Sequence, residues 1–368
     1  MPSSNIKALE ILVDAGLPTI IWGPPGVGKT SVITEIAKAR DLRLEIVIAS
    51  IREPSDFAGL PIRVGEGVRF APPQWAINIA DAGRGIIFYD EISTAPPSVQ
   101  AALLRPILDG FVGDLALPTS VITLAAANPI DQASGGWDLS LPLANRFVHL
   151  DWKIDATEIA NGFTSGWPKP NSGQSFTIDD TSLTKALGVI GSFIATRPDL
   201  ALQLPDDDGD RRAFPTPRSW EMAAKVIAAC ELAHAPQSIR SRLLKGCVGV
   251  GAATELLSFM ARTDSIDIAN LLTDPNSFTP PASRSDIVYV ALAAGISKVR
   301  SSEDAQLWIS LGKLLERVIE LGYIDVALHS AKSWMKLRPT GQLPPPSTML
   351  ALAPILNAIS TNSSLADE

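Results

Sequence analysis

The sequence predicts an α/β protein with a parallel five-stranded sheet flanked by helices, followed by a mostly helical second half. Two observations carry this prediction. Apolar strand-like runs alternate with helix-like segments over residues 1–155, and strands separated by helices form parallel sheets. After Trp152 the chain becomes rich in Gly, Pro, Asp, Ser and Thr, and then shows long segments with helical spacing of its apolar residues.

Five short apolar runs are the candidate strands of this sheet. The run that ends at Asp90 is apolar over nearly its whole length, as expected for a strand that helices cover on both faces. Two further segments have the pattern of hairpins, and one segment places its apolar residues on a single helical face. The strands are Thr19–Trp22, Leu44–Ala49, Gly85–Asp90, Val121–Ala126 and Phe147–Leu150, the hairpins are Val64–Phe70 and Phe111–Leu117, and the helix is Ser31–Arg40.

The composition limits the classes of function. Of 368 residues, 46% are hydrophobic and 19% are charged, against about 25% charged in an average soluble protein. The net charge of −8 argues against a dominant nucleic-acid surface. The chain has no apolar run of the ~18 residues that a membrane span needs, no signal-peptide pattern, and two cysteines that suit a reducing compartment, so we expect a cytoplasmic protein. The shortage of charge predicts a large core or surfaces that contact other chains.

The most specific motif follows the first candidate strand. Residues 23–30 fit Gly-x4-Gly-Lys-Thr, between an apolar strand and a helix. Its glycines let backbone N–H groups turn toward phosphates, and the helix N-terminus adds partial positive charge. Lys29 can reach the β- and γ-phosphates, and the Thr30 hydroxyl can ligate Mg²⁺. The predicted nucleotide-binding residues are Gly23, Pro24, Pro25, Gly26, Val27, Gly28, Lys29, Thr30, Ser31 and Asp90.

Two adjacent carboxylates end the third candidate strand. Asp90 and Glu91 follow four apolar residues, so a buried strand would carry them to the metal. We predict that Asp90 holds Mg²⁺ together with Thr30, and that Glu91 polarises the attacking water. The bland alternative is an acidic cap between a strand and a helix.

These residues together resemble the MoxR branch of the AAA+ ATPases. The resemblance rests on the phosphate loop, the string from Asp90 to Leu104, the segment Ala127-Asn128-Pro129 and the segment Ala144-Asn145-Arg146-Phe147. It covers about residues 15–150 and continues more weakly through Pro215–Trp220. Where many relatives carry an Asn-Arg pair, this chain has Ser93-Thr94.

The resemblance implies further roles and a division into segments. Asn128 corresponds to the sensor that orients the lytic water, with an ordinary Asn-Pro turn as the alternative. Arg146 resembles the arginine finger that acts on a neighbouring subunit's nucleotide, and Arg218 resembles the sensor-2 arginine of the lid, with surface or interdomain ion pairs as alternatives and Arg211 and Arg212 as nearby competitors. The predicted segments are an AAA+ nucleotide-binding domain at 1–155, a linker at 156–180, a helical lid at 181–281 and a helical extension at 282–368.

The predicted function is that of a P-loop AAA+ ATPase, with ATP and Mg²⁺ as cofactors. The resemblance implies a homo-oligomeric ring, expected to be a hexamer, that remodels, matures or activates a partner protein, in this family often one with a von Willebrand factor A domain. Two alternatives remain at this point: a nucleic-acid motor or loader, and a nucleotide-gated scaffold with little hydrolysis.

Overall fold

A computed structural model describes residues 4–129, 136–171, 175–206, 211–264, 266–281, 285–300, 302 and 304–353. The chain divides into two compact units. The first comprises Met1–Ile178 and Leu202–Ala253, and the second comprises Asp179–Ala201 and Thr254–Glu368. The compact units therefore divide the chain elsewhere than at the predicted segment boundaries, because the helix that starts at Asp180 groups with the second unit.

The strands of the first unit form one large sheet and two hairpins. The large sheet has the order β2-β5-β8-β1-β9, and every neighbouring pair is parallel. This confirms the predicted fold class. The strands are β1 (Thr19–Trp22), β2 (Arg43–Ile48), β3 (Leu60–Val64), β4 (Gly67–Ala71), β5 (Gly85–Asp90), β6 (Phe111–Val112), β7 (Leu115–Ala116), β8 (Val121–Ala127) and β9 (Val148–Asp151); β3 pairs with β4, and β6 with β7, as antiparallel hairpins.

Helices cover the sheet and form the second unit. The first unit contains α1 (Ser4–Asp14), α2 (Lys29–Ala39), α3 (Ser55–Ala58), α4 (Gln74–Ala82), α5 (Pro97–Leu108), α6 (Leu141–Ala144), α7 (Ala156–Ser165), α9 (Pro217–Leu232) and α10 (Gln237–Val248). The remaining helices are α8 (Asp180–Thr196), α11 (Val250–Asp264), α12 (Ile268–Thr273), α13 (Ser285–Arg300), α14 (Ala305–Glu320) and α15 (Ile324–Lys336).

Each unit has its own aromatic core. In the first unit, Phe57, Trp75 and Tyr89 pack edge-on or tilted, with ring centroids 6.1–6.3 Å apart. In the second unit, Trp308 and Trp334 stack at 4.4 Å, and each indole N–H donates to the other residue's backbone carbonyl. These reciprocal bonds satisfy two polar groups that burial would otherwise leave unpaired.

One local expectation from the composition is wrong. Residues 156–165 form α7 where a loop is predicted, because Asp155 and Glu158 close a capping box: the Asp155 carboxylate accepts from the Glu158 N–H at 2.7 Å. Helix α10 ends at Gly249, which has a φ of +81°. A side chain there would meet the Ala213 carbonyl at 2.7 Å, so the glycine also allows a close backbone approach.

No helix among the described residues is long and apolar enough to cross a membrane.

Candidate nucleotide site

The phosphate loop joins the end of β1 to the start of α2. Gly26 and Gly28 adopt φ values of +81° and +82°, which other residues reach only with strain, and Gly28 is the N-cap of α2. Gly23 donates its N–H to the Ala127 carbonyl at 3.2 Å. A side chain at Gly23 would come within 2.8 Å of the Trp152 carbonyl, so β8 and β9 fix the start of the loop.

Lys29 is the most tightly held side chain of the loop. Its ammonium group donates to the carbonyls of Gly23 at 2.5 Å and Pro24 at 3.1 Å, and to Oδ1 of Asn128 at 2.9 Å. Only 9% of Lys29 is exposed. Burial lowers its pKa, and the nearby Asp90 carboxylate opposes this effect. All three donors of the ammonium group are thus used, and one of them brings Asn128, the residue predicted as the sensor, to the phosphate loop.

Thr30 and Asp90 form the second contact. The Thr30 hydroxyl donates to Oδ2 of Asp90 at 3.0 Å, although the two residues are 60 positions apart. Asp90 ends β5, so the sheet carries its carboxylate to the N-terminus of α2. A hydroxyl oxygen and a carboxylate oxygen are ligands that Mg²⁺ prefers, and these two lie close enough to bind one ion. The site therefore fits the metal.

Glu91 lies beside this pair in a strained conformation. Its φ of +56° is left-handed, which is uncommon for a residue other than glycine. Its Oε2 accepts from the Ser50 hydroxyl at 2.6 Å. Sequence reasoning missed Ser50, which follows β2. Only the pairing of β2 with β5, in which Ile48 lies opposite Asp90, brings the two residues together.

Ser93 contacts the backbone of Asn128. It is 1% exposed, and its hydroxyl accepts from the Asn128 N–H at 3.2 Å. Its carbonyl accepts from the Trp137 N–H at 2.7 Å. Ser93 occupies a position where the sequence departs from the pattern it resembles, and here it anchors the segment that carries Asn128.

Arg146 and Arg218 interact electrostatically with one another, and within the described part of the chain neither donates a hydrogen bond to the phosphate loop. Arg146 makes one long bond, from Nη1 to the Pro142 carbonyl at 3.4 Å, and its buried Nε has no partner among the described residues. Burial lowers the pKa of Arg146, the positive charge of Arg218 lowers it further, and Asp109 opposes both. Arg218 is exposed in the first turn of α9.

Arg212, a competitor for the role of Arg218, is engaged elsewhere. Its guanidinium lies 5.3 Å from the ring centre of Trp22 and donates to Oδ1 of Asp151 at 3.1 Å. Trp22 in turn donates from its indole to Nδ1 of His149 at 2.9 Å. This chain of contacts braces the end of β1, directly before the phosphate loop.

Comparisons with known proteins agree with this geometry. Residues 19–149 match the family model described as "ATPase family associated with various cellular activities (AAA)". The RuvB subunit of the Holliday junction branch migration complex of Mycoplasma pneumoniae is 31% identical over 93 residues, 25% of this chain and 24% of that protein. The human ATPase family gene 2 protein homolog B is 31% identical over 134 residues, 34% of this chain and 16% of that protein.

A crystal structure of a candidate ATPase from Cytophaga hutchinsonii is also similar. It has 18% sequence identity and a TM-score of 0.44, and the match covers 74% of this chain and 88% of that one. The chain spans about a quarter or less of the curated relatives it matches.

Residues 19–149 therefore combine the parallel sheet, the phosphate loop and the family match of an AAA-type nucleotide-binding domain.

Proposed function

We propose that this protein is an ATPase of the MoxR type that works with Mg²⁺ in a ring and uses ATP hydrolysis to remodel, mature or activate a partner protein. The observation that carries the catalytic part is the convergence of Lys29, Thr30, Asp90 and Asn128 at one end of the sheet, with contacts of 2.9 and 3.0 Å. The MoxR assignment depends on the string from Asp90 to Leu104 and on the two arginines.

The roles follow from the positions of the side chains. Lys29 exchanges its carbonyl contacts for the β- and γ-phosphates, and the backbone N–H groups of the loop hold the same phosphates. Thr30 and Asp90 hold Mg²⁺, which neutralises developing phosphate charge when bound. Glu91 orients and polarises the water, and Asn128 reports on the γ-phosphate through its contact with Lys29.

Arg146 and Arg218 are proposed to act on the nucleotide of a neighbouring subunit. The positive charge of Arg218 lowers the pKa of Arg146, which favours an anion beside this guanidinium, and Asp109 is the carboxylate that opposes the effect. A γ-phosphate supplied across a ring interface is such an anion. Because Arg218 lies near Arg146, we propose that both residues contact the same nucleotide. The alternative is that Arg146 acts as an arginine finger and Arg218 acts separately as a lid sensor.

The proposed partner is a protein that carries a von Willebrand factor A domain, as the MoxR resemblance implies. The proposed ring is a hexamer. The two buried, free cysteines Cys230 and Cys247 fit a reducing compartment, so we place the protein in the cytoplasm. A nucleic-acid motor is the second candidate, favoured by the match to RuvB and opposed by the net charge of −8. DNA-stimulated ATPase activity would decide for it.

The test compares three full-length variants for phosphate release and for retention of labelled ATP. Lys29→Ala should lose ATP binding, because it removes the only buried cation of the loop. Glu91→Gln should retain ATP without hydrolysing it. Glu66→Gln, in an exposed hairpin turn, is the matched control and should behave as the parent chain. Unchanged hydrolysis by Glu91→Gln removes Glu91 from its role.

The ring is tested by mixing subunits. Arg146→Ala and Glu91→Gln chains should each be inactive alone, while mixed rings should recover activity where an intact Arg146 faces an intact Glu91. Light scattering with ATP and Mg²⁺ should show an oligomer. A monomer, or no recovery at any ratio, contradicts action across an interface.

A further inference from the structure

A polar cavity, partly open to solvent, lies in the second compact unit among α8, α13 and α15, and its lining residues Gly191 and Arg300 are exposed. Its volume is about 130 Å³. Small side chains on α8 create the space, and hydroxyl groups and one guanidinium face it from all three helices. The lining residues that matter are Gly191, Ser192, Tyr289, Arg300, Ser330 and Ser333.

The polar groups of this cavity are not used by the protein itself. Across the described residues, the side chains of Ser192, Tyr289, Arg300, Ser330 and Ser333 have no hydrogen bond or ion pair. Ser330 is 6% exposed and is the most buried polar residue of the lining. Serines within helices ordinarily bond to a carbonyl one turn earlier, so hydroxyl groups without such a bond keep their hydrogen-bonding capacity. These groups are therefore available to water or to a ligand that enters the cavity.

The charge of the lining selects the kind of ligand. Arg300 is the one charged residue that lines the cavity, and no carboxylate does. Arg300 ends α13, where the helix dipole also favours a cation. The helix dipole explains why a cation is favourable at this end of α13. It does not explain why four residues with hydroxyl groups line the same cavity. A guanidinium and several hydroxyl donors without an acidic neighbour are suited to an oxyanion.

The volume limits the size of this ligand. A cavity of about 150 Å³ holds a benzene molecule, so this one holds a ligand of about five or six non-hydrogen atoms. Phosphate and short carboxylates have this size. Ala293 and Ile296 supply an apolar wall that would accommodate a methyl or methylene group.

We propose that the second unit binds a small oxyanion, a phosphate or a carboxylate, with Arg300 as its counter-ion and the hydroxyls of Ser330 and Ser333 as donors. The site is separate from the phosphate loop, since it is built entirely from residues of the second unit. Water alone is the competing occupant, because a polar cavity of this size is hydrated when nothing else fills it.

Calorimetric titration of the full chain with inorganic phosphate, and separately with acetate, tests the proposal at constant ionic strength. The Lys29→Ala background is used because the phosphate loop would itself bind phosphate. We expect saturable binding of one or both anions. The anion with the lower Kd shows whether the site selects a phosphate or a carboxylate. Arg300→Gln should weaken this binding at least tenfold, whereas Arg262→Gln, on α11 and outside the lining, should leave it unchanged.

A second variant keeps the test decisive if Arg300→Gln does not fold. Gly191 has no heavy atom within 4 Å of an added Cβ, so α8 accepts a side chain there. Gly191→Leu adds an apolar side chain to the lining without removing any of its polar groups, and we expect it to obstruct the cavity and abolish binding. No saturable binding of either anion, binding that survives Gly191→Leu, or an equal loss in Arg262→Gln overturns the proposal.

Discussion

The hydrogen bond between Lys29 and Asn128 gives the sharpest prediction about the nucleotide site. Asn128→Asp replaces an amide by a carboxylate of the same shape, 2.9 Å from the Lys29 ammonium nitrogen. Two opposite unit charges at that distance interact by about 6 kcal/mol at an effective dielectric constant of 20. The new carboxylate would hold the ammonium group away from the phosphates and would repel the γ-phosphate as well.

The net loss of ATP affinity is smaller than the Coulomb energy. The new carboxylate at position 128 loses hydration because this position is half-buried. Solvent also screens its charge, because the phosphate loop beside it is exposed. If about one third of the interaction remains, the loss is about 2 kcal/mol, which corresponds to about a thirty-fold weaker Kd. The Asn128→Ala variant removes the bond without adding charge, so it should keep ATP affinity within about threefold and lose hydrolysis.

The assay is equilibrium binding of a fluorescent ATP analogue, with phosphate release measured on the same samples. Asn161→Asp adds the same charge on the exposed surface of α7 and controls for net charge. The reasoning is refuted if Asn128→Asp binds ATP as tightly as the parent chain. It is also refuted if Asn128→Ala and Asn128→Asp lose affinity equally, because the effect would then not be electrostatic.

Three further changes test the same site. Ser50→Ala removes the 2.6 Å bond to Glu91 and should raise ATP hydrolysis about three- to tenfold at unchanged ATP affinity, because it frees the carboxylate oxygen for water; an unchanged or lower rate contradicts this. Thr30→Val should raise the Mg²⁺ concentration for half-maximal hydrolysis about tenfold or more while Thr30→Ser does not, and equal behaviour of the two variants would exclude the hydroxyl as a ligand. Gly23→Ala should lower the free energy of unfolding by about 1–3 kcal/mol in a denaturant titration, because its Cβ would meet the Trp152 carbonyl at 2.8 Å; unchanged stability would show that the loop can shift.

Much of the site could be predicted because its chemistry is local in the sequence. The phosphate loop is a continuous motif between a strand and a helix, and both flanking elements formed where the pattern placed them. The carboxylates of Asp90 and Glu91 follow a strand whose bounds, Gly85–Asp90, were also predicted. In each case neighbouring residues determine the backbone, and the backbone directs the side chain.

The order of the strands could not be read from the same patterns. Ser50 reaches Glu91 only because β2 lies beside β5, and Lys29 reaches Asn128 only because β8 lies beside β1. An apolar run reports that a strand is buried, but it carries no information about which strand is next to it. The role of Ser93 behind Asn128 was missed for this reason.

The shortage of charged residues has two physical sources in the structure. Part of it is the pair of separate apolar cores, each of which needs its own buried residues. The other part is exposed: the hairpin of β3 and β4 presents Leu60, Ile62, Val64, Val68 and Phe70, each at least 41% exposed.

A two-stranded hairpin is marginal in isolation, yet this one is fastened to the body of the first unit. The Phe70 N–H donates to the Asp114 carboxylate at 2.9 Å, and the Asp114 N–H returns a bond of 2.9 Å to the Phe70 carbonyl. Gly59 and Gly113 approach so closely that a side chain on Gly59 would lie 2.7 Å from the Gly113 Cα. A rigid apolar surface loses little conformational entropy when a second chain covers it, whereas in a monomer it would remain in water. The exposed apolar hairpin therefore supports the proposed assembly, on grounds independent of the arginine pair.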